Sequence, residues 1–450
     1  MALVLKIKNK VQEISLKQVL LLAFSIRIAW YLFILFTNPE GFWLYDSNGY
    51  WNIAYNLKEY GVFSQGSDSY VNEPLLPDYF RTPLFPLLIY PTVFFDSSGC
   101  SVPVINILFD CLTCFLIYKT ILRITKNENY AKGGSLIYAI HIPAVLFSNF
   151  VLSETVFACL ILLFVYLFFK LVAIPGWKNA LLCGLAGGLC VMCKPLGFIL
   201  IFPAALFLLV KQFNAKGAIA ILLMTLTFYA VQFPWMQRNK NTFGRYFNSV
   251  LGEHLLLGYH TAHVYGKVNH INYFEAKEML IDKCFEGLNY DPYKHPYEYA
   301  KKIEQVAYGV LWENKFIFLK EHGKECMKFF VQPSKAYTNY QLGKHMYTPV
   351  FTWTFIAIQL LISGIIFLVI AFAFYKHLQK RIKPGWFIYF LSVVIFLFAQ
   401  FTTMPYTDSR MRLPVDPLLI ILLVVLLHKL APVKSSYNQR LKSLFLGRKS

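Results

Sequence analysis

The residues best suited to chemistry are a few charged side chains at the ends of long apolar runs. Asp46 and Glu154 supply carboxylates, while Arg81, Lys194, Arg238, Arg410 and Arg412 supply cations, with Asp408 beside the last two. Arginine and lysine bind phosphate by charge and by hydrogen bonds that are bidentate for arginine. A carboxylate can act as general base on an acceptor hydroxyl. Together these are the parts for displacing a phosphate leaving group from a sugar, because cations stabilise the charge that the departing phosphate gains. Each residue also has a plainer reading. Asp46 could be a surface carboxylate, Glu154 a first-turn helix acid, and Lys194 and Arg238 interfacial anchors. Tyr50, Trp51 and Tyr55 could stack on a sugar or polyprenyl chain, or could be interfacial aromatics.

The elements that must position these residues are membrane helices. The 450 residues are 57% hydrophobic and only 15% charged, against about a quarter charged in soluble domains. The apolar runs are 18–37, 103–123, 133–151, 153–173, 179–193, 196–210, 217–235, 351–375, 386–402 and 413–430. They make ten candidate spans by the ~20-residue criterion, with 179–193 short. Their centres read as free of charge. Gly184 and Gly188 form a GxxxG pair suited to close helix packing. The start, with Lys6, Lys8, Lys10 and Lys17 before the first run and no small-residue cleavage site after it, reads as a signal anchor.

Charge sets the expected orientation. With the N-terminus inside, the short inside loops carry Arg123, Lys126 and Lys132; Lys170 and Lys178; Lys211 and Lys216; and Lys376, Lys380, Arg381 and Lys383. This is the positive-inside pattern, from which long outer loops are exempt. The stretch 83–95 carries three prolines and is too short to span comfortably. If it crossed, every later basic loop would face outward, so it is expected to be re-entrant or interfacial. The resulting division is 1–235, an N-terminal membrane region with an outer loop at 38–82; 236–350, a mostly helical outer domain; 351–433, C-terminal membrane helices; and 434–450, a basic cytoplasmic tail. Asp46, Arg81, Glu154, Lys194, Arg238, Arg410 and Arg412 then all fall at the outer face. The expected protein is an all-α polytopic protein of the inner membrane, with both termini cytoplasmic. The formal charge of +19 is assigned to the inside bias and to anionic membrane lipids, not to nucleic acid.

Several segments resemble one superfamily. Tyr45-Asp46-Ser-Asn-Gly-Tyr50-Trp-Asn-Ile-Ala54, then Tyr60-Gly61-Val-Phe63, then Tyr79-Phe80-Arg81-Thr-Pro83-Leu-Phe-Pro86 is similar to the first outer loop of the GT-C membrane glycosyltransferases. Within that superfamily it looks most like glycosyltransferase family 39, the protein O-mannosyltransferases, and the lipid A aminoarabinose transferase. Ser153-Glu154, Cys193-Lys194-Pro195 and Arg410-Met-Arg412-Leu-Pro414-Val-Asp-Pro417 resemble further motifs of the same set, in the same order. The resemblance implies transfer of a sugar from a polyprenyl-phosphate donor to a lipid, glycan or protein acceptor. It implies Asp46 as acceptor base or site organiser. It also implies donor-phosphate contacts at Arg81, Lys194 and Arg410 or Arg412. Only one acidic residue stands in the Tyr45–Tyr50 motif, where some members carry a pair, and 236–350 aligns with nothing in the family.

Other features carry less. Some GT-C enzymes are metal-dependent, but His254, His260, His263 and His270 have no carboxylate partners at ligand spacing, so a divalent metal is not indicated and no other cofactor is implied. Most of the nine cysteines fall in apolar runs; Cys100, Cys284 and Cys326 lie in outer segments, where one disulfide could form. Two rival functions remain: a lipid-linked-oligosaccharide flippase or other transporter, and an O-antigen-type polymerase with a pyrophosphate-linked donor. The first usually places polar or broken helices at the bilayer midplane.

Overall fold

The computed structural model describes residues 13–66, 75–346, 349–405 and 408–431, and among them every regular element is helical. The Lys6–Lys10 cluster and the 434–450 tail lie outside the described residues. Six helices are long and apolar enough to cross a membrane: Leu16–Thr37, Val102–Thr125, Glu154–Ala173, Ala215–Phe243, Thr352–Leu378 and Ser409–Leu430. Three of the shorter expected spans appear as Trp177–Cys193, Pro195–Lys211 and Trp386–Thr402. At 1.5 Å per residue a 17-residue helix reaches about 26 Å, the lower limit for crossing. Segment 83–95 folds as Leu84–Ile89 and a 3-10 turn, Tyr90–Phe94, and packs against helix Tyr45–Tyr60.

Two expectations are corrected. The run 133–151 is not one span. It is two short helices, Glu128–Ala139 and Ile142–Phe147, broken at Ile140–His141 before Pro143. Pro143 has no N–H for the Ala139 carbonyl and its ring clashes with a continuing turn, so the helix stops and the chain bends at His141, ψ 111°. The span centres are also not free of charge. Arg27 and Asp110 form a fully buried ion pair, and Tyr138 donates to Asp110 at 2.5 Å. Arg27 also donates to the Ala139 carbonyl at 2.8 Å and the Tyr138 carbonyl at 3.4 Å. It therefore caps the helix that the break leaves open. Every group is satisfied inside the bundle, so the pair is a staple and not a transport path.

The GxxxG reading has a direct structural basis. Helix 177–193 lies so close to helix 215–243 that a Cβ at Gly184 would sit 2.3 Å from the Met224 carbonyl oxygen. One at Gly188 would sit 2.7 Å from the Val231 Cβ.

The segment expected as an outer domain has two parts. Its first part has its own small core, built from Leu257, Leu280, Tyr299, Ile303 and Val310 among others. Its second part, helices Lys315–Val331 and Lys335–Met346, folds back on the membrane bundle. Phe329 is buried in the main core. Gln341 accepts from Trp30 Nε1 at 2.8 Å and donates to the Leu146 carbonyl at 3.0 Å. All nine cysteines are free, so Cys100, Cys284 and Cys326 form no disulfide.

Two histidines of this segment are half-buried, His254 beside Tyr299 of the small core and His260 beside Phe318 and His322. Burial pushes His254 down to about 4; burial, and then His322 beside it, does the same to His260. A neutral histidine in the folded state favours folding above the unfolded value near 6.5 and loses that contribution as the pH falls through that value towards 4. The thermal midpoint of the full protein in detergent is expected to fall over this window. His254→Phe, which keeps the ring contacts with Phe80 and Tyr299, should flatten the fall.

Candidate active site

The site grows from four helix ends that meet at one end of the bundle. Asp46 lies in the first turn of Tyr45–Tyr60, and Glu154 opens Glu154–Ala173. Both acids thus sit where the helix dipole favours negative charge. Lys194 sits between Cys193 and Pro195 with extended backbone, φ −148° and ψ 134°. The following proline imposes that conformation and turns the side chain out of the helix line. Arg410 lies in the one-turn helix Ser409–Arg412, whose cap Asp408 accepts its backbone N–H at 2.8 Å.

These residues form one continuous charge network. Arg410 bridges the two carboxylates: its Nε donates to Glu154 and its Nη2 to Asp46 Oδ2 at 2.5 Å. Lys194 Nζ lies 2.9 Å from the same Glu154 oxygen. Arg81 Nη2 reaches Asp46 Oδ1 at 3.7 Å. The Arg81 guanidinium also lies 5.0 Å over the Tyr50 ring, a cation–π contact. The Tyr50 hydroxyl is 2.9 Å from Ser153 Oγ, and burial pushes its phenol up. The two acids differ in access. The Asp46 side chain is 37% exposed and that of Glu154 only 3%. The bridge therefore has an open carboxylate and a closed one.

Of the eight residues singled out from sequence, Asp46, Tyr50, Arg81, Glu154, Lys194 and Arg410 come together. Arg238 and Arg412 do not join them. Arg238 stands one layer back, donating to the Asp78 carbonyl at 2.8 Å and stacking 4.7 Å over Trp235. Arg412 turns to the other side of its helix. It pairs with Asp416 at 2.9 Å and donates to the carbonyl of Phe330 at 2.7 Å, capping the last turn of Lys315–Val331. Asp416 is itself held by His141 at 2.9 Å.

Other contributors were not read from sequence. Asp78 Oδ1 accepts the backbone N–H groups of Phe80 and Arg81 at 2.9 and 2.7 Å, fixing the turn that aims Arg81. Burial pushes this carboxyl above its usual range. An aspartate that takes the backbone N–H two residues on forms an Asx turn, a local preference of that residue type. Gln65 takes a hydrogen bond from Arg81. Tyr337 donates to Asp408 at 2.5 Å; it lies in a segment with no recognisable motif. Among the described residues no three His, Cys, Asp or Glu side chains group as a metal site. Arg410 and Arg81 pair with Asp46, and Arg410 and Lys194 pair with Glu154 through Oε1. His254, His260 and His263 contact Phe80, Phe318 and Glu321 respectively.

A bundle of apolar helices with a polar site at one end defines an integral membrane protein. Among solved structures, the chain is similar to the archaeal oligosaccharyltransferase AglB from Archaeoglobus fulgidus, determined in complex with an inhibitory peptide and a dolichol-phosphate. The TM-score is 0.50 at 14% identity, over 97% of this chain and 54% of that one. It is also similar to ArnT from Cupriavidus metallidurans bound to undecaprenyl phosphate, with TM-score 0.34, 14% identity, and coverage of 90% and 76%. The chain thus spans about half the length of the archaeal enzyme. The family model for dolichyl-phosphate-mannose-protein mannosyltransferase matches residues 81–242. No curated protein matches in sequence. The chain has the GT-C fold, as its motifs lead one to expect.

Two predictions follow from this geometry. A Cβ at Gly49 would lie 2.4 Å from the Arg81 guanidinium carbon. Gly49→Ala should therefore displace Arg81 and weaken binding of an anionic lipid phosphate about tenfold, measured by thermal-shift titration, with little change in the ligand-free midpoint. The two arginines of the Arg-x-Arg step should separate. Arg412→Ala leaves Asp416 facing only His141 and uncaps a helix, and should destabilise the protein by about 3 kcal/mol. Arg410→Ala leaves each carboxylate one cation, so it should cost less stability and more ligand affinity in the same titration.

Proposed function

We propose that this protein transfers a sugar from a polyprenyl-phosphate carrier to a lipid, glycan or protein acceptor at the outer face of the inner membrane. The observation that carries the reading is the bridge from Arg410 to an open and a closed carboxylate. Arg81, Lys194 and Arg410 face Asp46 and Glu154, which leaves one formal positive charge. That balance suits the single negative charge of a sugar–phosphate–lipid diester. The dolichol-phosphate in the archaeal neighbour supports a polyprenyl phosphate as the carrier.

The reaction is a single displacement. The donor phosphate enters beside Arg81, Lys194 and Arg410 and competes with Asp46 for Arg410. Freed of part of that pairing, Asp46 takes the proton of the acceptor hydroxyl. The acceptor oxygen bonds to the anomeric carbon as the bond from that carbon to the phosphate oxygen breaks. The lipid phosphate leaves as a monoester with an added negative charge, which the three cations stabilise. Glu154 stays ionised and holds Arg410 and Lys194 in place. One displacement inverts the anomeric centre.

The basic loops support the sidedness. Lys126, Lys178, Lys211, Lys380 and Arg381 lie at helix ends remote from the charge network, which by the positive-inside rule supports a site at the outer face. A transporter reading gains nothing from the Arg27–Asp110 pair, since both groups are enclosed and satisfied.

The test is transfer of radiolabel from synthetic polyprenyl-phosphate sugars by purified protein in nanodiscs supplied with a membrane lipid extract. Wild type should move label into a new product. Asp46→Asn should lower the rate by at least about a hundredfold while donor binding persists. Transfer unaffected by Asp46→Asn would remove Asp46 as base. Donor binding with no transfer from any carrier would overturn the enzyme reading in favour of lipid transport.

A further inference from the structure

Helix Lys315–Val331 lies across the outer ends of the membrane spans. Its inner face meets the last turn of Trp386–Thr402: His322 lies 3.2 Å from Gln400 Oε1, and Cys326 Sγ lies 3.3 Å from Thr403 Oγ1. Its C-terminal end goes deeper. The Phe330 ring is 5.7 Å from Phe367, which lies about 16 Å from the far end of Thr352–Leu378 by helix rise. The helix therefore meets the outer span ends along its middle, and its C-terminal end dips towards the centre of a ~30 Å hydrocarbon layer.

Its outward face is apolar. Phe316 is 78% exposed and Met327 67%, and Leu319 and Val331 are also exposed. Helical spacing puts these four on one side, opposite buried Glu325 and Phe329. Trp312, 74% exposed at the end of the preceding helix, extends the strip. By helical spacing Lys315 lies at the edge of the strip and Lys320 within it, both exposed. Lys315 Nζ lies 4.9 Å from the Trp312 ring and 5.7 Å from the Phe316 ring. Lys324 and Lys328 are paired with Glu321 and Glu325. Lys315 and Lys320 pair with no carboxylate among the described residues, so their charge is open to an anion.

An exposed apolar strip in water is a liability; where it enters a bilayer beside exposed lysines it is the mark of an interfacial helix. We infer that Trp312, Phe316, Leu319, Met327 and Val331 seat this helix in the outer leaflet, with Lys315 and Lys320 holding the phosphates of anionic phospholipids. The seat does not depend on the chemistry at the charge network. It does abut that network, because Arg412 caps the helix's last turn two residues from Arg410.

The test uses the full chain in phosphatidylcholine nanodiscs, with and without phosphatidylglycerol. Lipids carrying a nitroxide near the headgroup should quench the fluorescence component that Trp312→Leu removes, and aqueous iodide should not. Lys315→Gln with Lys320→Gln should reduce phosphatidylglycerol retained through detergent extraction about thirtyfold, at about 1 kcal/mol per lysine. Quenching of Trp312 by iodide alone would place the strip in water and overturn the inference. So would unchanged lipid retention in the double variant. Protection of Trp312 from both quenchers, with a crosslinked dimer that Trp312→Leu abolishes, would assign the strip to a second copy of the chain.

Discussion

A carboxylate nearly sealed from water must be neutralised or paired, and Glu154 is the group on which the site depends. Moving an ion into a low-dielectric interior costs several kcal/mol even after relaxation, and only close partners offset this. Glu154 has two, Lys194 and Arg410, drawn from segments far apart in the chain. Satisfying one buried charge therefore brings the Cys193–Pro195 step and the start of the last span to the mouth of Glu154–Ala173. Arg410 then has a second arm free, and that arm holds Asp46. The first outer loop is tied to the bundle by the charge that the buried carboxylate brought there.

Around this core the backbone is shaped to free or aim single side chains. Gly49 clears the space that the Arg81 guanidinium fills. Pro195 extends Lys194. Arg238 holds the Asp78 carbonyl while the Asp78 carboxylate holds the Arg81 turn, so a residue without a place in the charge network still sets where one member points. The Arg27–Asp110 staple plays the same part for the broken helix pair, which turns His141 towards Asp416.

Much of this was legible in sequence because long apolar runs and basic loops are determined locally. The nine spans that appear as helices needed only length and hydropathy. The broken third run was missed because hydropathy averages over Pro143 and hides a bend that Arg27 stabilises from another helix. The charge network was legible as a set, since the positive-inside pattern alone puts Asp46, Arg81, Glu154, Lys194 and Arg410 at one face. Its pairing was not, because which cation meets which carboxylate is fixed by tertiary contacts. The 236–350 segment was the least legible. Amphipathic spacing gave its helices, but only packing separates a small core of its own from two helices that belong to the membrane bundle.

The Arg-x-Arg step shows how far spacing alone can go. Residues two apart on a helix point about 200° away from each other, so they cannot serve one site. At the start of the last span this splits two identical cations into different work. Arg410 faces Glu154 and Asp46, while Arg412 faces Asp416 and the end of Lys315–Val331. Each anchors the other's neighbourhood. Arg410 cannot shift without moving the helix that Arg412 caps. The geometry of the charge network is thus fixed from two sides by a single turn of helix, held at its start by Asp408 and Tyr337.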